Sequence, residues 1–150
     1  MKIALASDHA GFQLKQGLVT YLNEAGHEVI DLGVDSDATR ADYPDVAKAV
    51  GNAIINSDVE RGILLCGSGV GASVAANKMK GVYAAICHDV YSAAQGVEHD
   101  NMNVLCLGGR IIGISLAEKL VDAFLNAKFN TETGRYQTRF KMIQDMESSS

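Results

Sequence analysis

The chain has 150 residues, 47% of them apolar, and carries 13 Lys and Arg against 18 Asp and Glu for a net charge of −5. That length supports one domain with a sizeable core and leaves little room for a second, and the acidic balance excludes a broad basic face for nucleic acid or an anionic membrane. Three cysteines with no C-x-x-C pair argue against a disulfide framework or a thiolate zinc site; with no signal peptide and no apolar run near ~18 residues, the expectation is a cytoplasmic protein.

In chain order, KIALA at 2–6 reads as a first strand and ends in Ser7-Asp8-His9-Ala10-Gly11. FQLKQGLVTYLNEAG then places Phe12, Leu14, Leu18, Val19 and Leu22 at amphipathic spacing, with Gly26 as its closing glycine. EVIDL at 28–32 is a second strand, and after the loop GVDSDATRADY, Pro44 suits the first turn of a helix running to about Asn56. GILLC at 62–66 is a third strand, from which CGSGVG opens a third helix. YAAIC at 83–87 and NVLCL at 103–107 are also nearly continuous in apolar residues, as strands covered on both faces should be. A helix over about 91–98 separates them, and ISLAEKLVDAFLNA supplies another. The last segment, TGRYQTRFKMIQDME, has a helical pattern but only a thin stripe of Phe140, Met142, Ile143 and Met146, and is expected to dock on a partner subunit. Residues 148–150 are expected to fray.

Strands alternating with helices predict an α/β fold: a single-domain, doubly wound, five-stranded parallel sheet, Rossmann-like, spanning 1–150 with strand order 2-1-3-4-5. Ligands of such sheets bind beyond the carboxyl ends of the strands where the winding reverses, here between the first and third. The loops at 7–11 and 66–71 should meet there.

Gly67-x-Gly69-x-x-Ala72 matches the dinucleotide pattern, with Asp89 about 20 residues on. The chain is too short for the two mononucleotide halves that reading needs, and position 66 is cysteine where a nucleophile elbow requires glycine. What the glycines do offer is a tight turn whose free amides converge on negative charge, a phosphate or an oxyanion formed during reaction. Cys66 sits just before those amides, where a thiolate is favoured, and Ser68 is close enough to bond it or a substrate. The competing reading is a small apolar residue closing a buried strand, the role expected of Cys87 and Cys106.

Asp8 could fix the tautomer of His9 or only cap the first helix. His99, expected in a loop before the fifth strand, could be catalytic or superficial, and spacing does not decide; His88 is equally open, and His27 lies at the wrong end of its strand. Arg135 and Arg139, four residues apart, would share one helix face fit to clamp a phosphate, and Arg110 in LGGR falls near the carboxyl edge. No His/Glu pair has ligand spacing, so no metal site is expected.

The segments SDHAGFQLK, DYPD, GILLCGSGVGASVAANK, YSA, EHDNMNVLCLGGR and GRYQTR together resemble ribose-5-phosphate isomerase type B, in the superfamily that includes galactose-6-phosphate isomerase subunits, across nearly the whole chain. The resemblance implies interconversion of an aldose phosphate and a ketose phosphate, without metal or organic cofactor. It makes Cys66 the base that moves a proton between C1 and C2, Ser68 an orienting hydroxyl and His99 the ring-opening acid, with Asp8 assisting and the amides of Gly67, Gly69, Val70 and Gly71 steadying an enediolate oxygen. Tyr43 matches a substrate contact, and His9, Arg110, Arg135 and Arg139 match a phosphate-binding set assembled across a homodimer, which two such pairs could double. Ser68 stands for the common threonine, Asp100 for a substrate-bonding asparagine, and Tyr136 for a frequent histidine. A carboxylate at Asp100 cannot donate a hydrogen bond unless protonated, so a six-carbon sugar phosphate is an alternative substrate, and a non-catalytic phosphate-binding or nucleotide-binding module is a third reading.

Overall fold

In the computed structural model, which describes residues 1–149, parallel strands form one sheet from β1 (Lys2–Ser7), β2 (Glu28–Gly33), β3 (Arg61–Cys66), β4 (Ala84–Ile86) and β5 (Val104–Gly108). Between and after them run α1 (Phe12–Glu24), α2 (Tyr43–Ile55), α3 (Val70–Ala76), α4 (Val90–Asp100), α5 (Ile114–Asn126) and α6 (Gly134–Ser148). The doubly wound α/β fold is as the alternating pattern predicts. The strand order is β2-β1-β3-β5-β4, so the last two strands exchange the places expected of them. All of β5 is buried, whereas β4 has three half-buried residues. The longer apolar strand takes the interior beside β3, and the short one is left at the edge.

Side-chain alternation along the strands splits the core into two layers. Ile3, Leu5, Ile63, Leu65, Leu105 and Leu107 pack against α1, α4 and α5, with Phe124 at the centre. The opposite faces, with Ala4, Ala6, Leu64, Cys66 and Cys106, meet Val46, Val50 and Ala72 of α2 and α3. Each fully buried Leu, Ile or Phe contributes about 1.5–3 kcal/mol, so the leucine-rich layer is the heavier anchor.

Both sheet edges are guarded. Beside β4, the Asn77 carboxamide imitates a strand: its Nδ2 donates to Ala84 O at 2.8 Å and its Oδ1 accepts from Ala84 N at 2.9 Å. On β2, Glu28 and Asp31 are exposed charges, and the buried Lys15 of α1 donates to Asp31 Oδ1 at 2.7 Å and to Val34 O at 2.6 Å.

Two helices differ from expectation. α4 extends to Asp100 and is stopped by Asn101 in the left-handed region at φ 55°, so His99 and Asp100 occupy its last turn instead of a loop. α6 runs through Ser148, whose Oγ donates to Gln144 O at 3.1 Å, and Ser150 lies outside the described residues. Phe140 leaves the supposed stripe to pack edge-on against Tyr83 at 5.0 Å and Phe129 at 5.5 Å, while Met142, Ile143 and Met146 remain exposed. Among the described residues no helix is long and apolar enough to cross a membrane.

Candidate active site

The winding reverses between β1 and β3, whose ends are tied by Asp8 N donating to Leu65 O at 3.2 Å. Beyond them opens a cleft of about 560 Å³. Its floor is Cys66 and Gly67, one wall is Ser68, Val70 and Gly71, and the others are Asp8, Tyr43, Arg110 and Ile111.

Cys66 ends β3 nearly buried, and the Gly69 amide donates to its Sγ at 3.2 Å. Gly69 adopts φ +84°, where a side chain would be strained, and that turn aims its N–H back at the sulfur. Ser68 Oγ accepts from Val70 N at 3.3 Å. The glycine loop thus spends the amides of Gly69 and Val70 on its own thiol and hydroxyl, and leaves the Gly71 amide, in the first turn of α3, without a helical carbonyl before it.

Asp8 is buried, and its Oδ1 accepts from Ala10 N at 3.0 Å and Gly11 N at 3.1 Å. The capping reading therefore describes Oδ1, which is turned to amides and not to His9, while the carboxylate still borders the cleft. His9 follows at the rim, half-buried and outside the cleft lining, its Nδ1 buried with no partner among the described residues. Arg110 is placed by the turn after β5: Gly109 N donates to Cys66 O at 2.8 Å and Arg110 N to Gly67 O at 3.0 Å. Its guanidinium lies along Gly67 and reaches the cleft from the third loop.

The remaining residues singled out in the sequence lie at the other end of the sheet. Cys66 pairs in register with Gly108 at the carboxyl end of β5, whereas His99 and Asp100 precede its amino end at Val104. At a rise of ~3.3 Å per residue, β5 alone separates the two edges by more than 10 Å. His99 stacks on Tyr136 with ring centres 4.0 Å apart and planes 17° from parallel. Gln95 Nε2 stands 3.0 Å from His99 Nδ1, within hydrogen-bond distance. Arg135 Nη2 donates to the Tyr136 hydroxyl at 3.1 Å, and Arg139 is exposed one turn further along α6.

The residues therefore form two constellations, one chain's cleft and one chain's opposite edge. Sequence reasoning missed Ile111, which no residue type announces, and Gln95, visible as the i−4 neighbour of His99 only once α4 is known to extend. His88 proves to be an acceptor: Gly108 N donates to its Nε2 at 3.0 Å, and burial lowers its pKa. Burial, with Asp89 nearby, pushes the Cys87 thiol up to about 11, and burial pushes Cys106 up as well, in keeping with their core role. Among the described residues no group of three or more His, Cys, Asp or Glu is placed to hold a metal ion.

Comparison with known proteins puts this geometry in context. Ribose-5-phosphate isomerase B of Escherichia coli is 46% identical over 146 residues, covering 97% of this chain and 96% of that protein. D-Erythrulose-4-phosphate isomerase of Pectobacterium atrosepticum is 41% identical over 129 residues, covering 86% and 85%. The crystal structure of ribose-5-phosphate isomerase B from Mycoplasma genitalium with bound ribulose-5-phosphate superposes with a TM-score of 0.91 at 43% identity, covering 99% of this chain and 97% of that one. With residues 3–143 also matching the Ribose/Galactose Isomerase family, and a thiol at a glycine turn on the switch point of the sheet, the chain belongs to that family of sugar-phosphate isomerases.

Proposed function

We propose that the protein interconverts ribose 5-phosphate and ribulose 5-phosphate through an enediolate, as a cytoplasmic homodimer whose sites each draw on two chains. The observation that carries the chemistry is the Cys66 sulfur, held at 3.2 Å from the Gly69 amide on the floor of an open cleft. Family membership and the ribulose-5-phosphate held by the Mycoplasma genitalium relative support the substrate.

Starting from the aldose, His99 of a second copy gives a proton to the ring oxygen as the bond from C1 to that oxygen breaks, and the anomeric hydroxyl releases its proton to water as C1=O forms. Cys66 as thiolate then removes the C2 proton, generating the enediolate, and the thiol so formed exchanges its proton with solvent and delivers one to C1 while the oxygen-borne proton moves from O2 to O1. Ser68 and the Gly71 amide face the oxygen that carries the developing charge. Arg110 and His9 of one chain, with Arg135 and Arg139 of the other, take the phosphate. The separation of the two constellations within one chain supports the dimer: no single copy joins them.

NMR in deuterated water tests this, with ribose 5-phosphate run beside allose 6-phosphate and galactose 6-phosphate. Ketose formation with deuterium at C1 is expected from wild type and is expected to be lost from Cys66→Ala. Turnover preserved in folded Cys66→Ala would remove Cys66 as the base, and turnover of a hexose phosphate alone would reassign the substrate.

A further inference from the structure

Tyr136 is the one described residue of α6 that is buried, and it touches both functional side chains of its neighbourhood. Its ring covers one face of the His99 imidazole at 4.0 Å, and its hydroxyl accepts from Arg135 Nη2 at 3.1 Å. The Arg135 guanidinium carbon also lies 4.9 Å from the centre of the same ring. Gln95 Nε2 meets His99 Nδ1 from the side at 3.0 Å, so between the stack and that amide the imidazole is held in one plane. Arg135, exposed and long, would otherwise range over many rotamers.

We propose that Tyr136 is a positioning residue that aims the ring-opening proton of His99 and the phosphate contact of Arg135 together. This inference rests on the roles given to His99 and Arg135 above. The ring and the hydroxyl have separable duties: the ring orients His99, and the hydroxyl orients Arg135. Burial alone would require neither the near-parallel stack nor the bond from the guanidinium.

The test is steady-state kinetics with ribose 5-phosphate on Tyr136→Phe and Tyr136→Leu, each also made in His99→Ala and Arg135→Ala backgrounds. Tyr136→Phe keeps the stack and the buried volume, so kcat is expected within about twofold of wild type while KM rises severalfold, a rise that vanishes when Arg135 is already alanine. Tyr136→Leu is expected to lower kcat about tenfold or more in the native background and to add little in His99→Ala, the non-additivity of residues acting as one unit. A kcat loss equal with and without His99, or a Tyr136→Phe variant with unchanged KM, overturns the inference. If His99→Ala itself leaves kcat unchanged, the acid role of His99 fails instead, and with it the catalytic arm of this inference. Phe at 136 guards against misfolding of the leucine variant, since its effect is read in a chain that keeps the aromatic core contact.

Discussion

A methyl group at Gly71 would stand 2.4 Å from the Tyr43 ring, so the cleft wall and its tyrosine are fitted to a glycine. Tyr43 is 43% exposed and free to swing outward, so Gly71→Ala should cost little stability and instead displace a side chain that borders the substrate. We expect Tm within a few degrees of wild type and kcat/KM for ribose 5-phosphate lower by about an order of magnitude, the scale of loss that a small misplacement at a reacting centre brings. Calorimetry beside steady-state kinetics checks it; a cooperative loss of Tm with unchanged kcat/KM would contradict it. Much at this scale was legible beforehand, because glycine spacing after an apolar run identifies a turn whatever the rest of the fold does. Cys66, Ser68 and Arg110 were found that way. The fit of Gly71 to Tyr43 was not legible, since it depends on how α2 and α3 approach one another across nearly 30 intervening residues.

At the level of elements, α6 is tied to β4 through Tyr83, whose hydroxyl donates to Glu147 Oε2 at 2.9 Å. Burial first, and then the bond to Glu147, raise the Tyr83 pKa from 10.0 to about 12. A phenol raised on folding adds stability that is complete below its unfolded pKa and disappears as pH climbs to the folded one, so this anchor weakens between about pH 10 and 12. Tyr21, bonded to Asp122 on α5, is raised to about 12 as well and shares that window. Thermal melts at pH 9 and 11 should therefore show a smaller alkaline drop in Tyr83→Phe than in wild type, and a smaller one still when Tyr21→Phe is added. An alkaline drop equal in all three proteins would show that these phenols do not set it. The elements themselves were largely readable from period and apolar runs. The end of α4 was not, because a left-handed asparagine stops it where no glycine or proline marks the place, and the order of β4 and β5 was not, because a three-residue strand carries too little pattern to show its rank in a sheet.

For the whole molecule, the homodimer proposed above, with each site drawing on both chains, predicts that two lesions on different chains repair each other. Cys66→Ala damages the cleft a chain owns, and Arg139→Ala damages what it lends. Unfolding and refolding an equal mixture should give about half hybrid dimers, each with one intact site, so roughly a quarter of wild-type activity is expected from two inactive parents. Mixtures that stay inactive would argue that Arg139 serves its own chain's site. The proposed two-chain arrangement rests on likeness to a family; the residue pattern by itself showed an under-filled last helix and nothing of what it meets. The guarded sheet edges carry a different consequence. With Asn77 occupying the β4 backbone and charges flanking β2, neither side offers rungs on which a foreign strand could be laid down. Growth by strand addition is disfavoured in both directions, so the sheet is a poor seed for fibres.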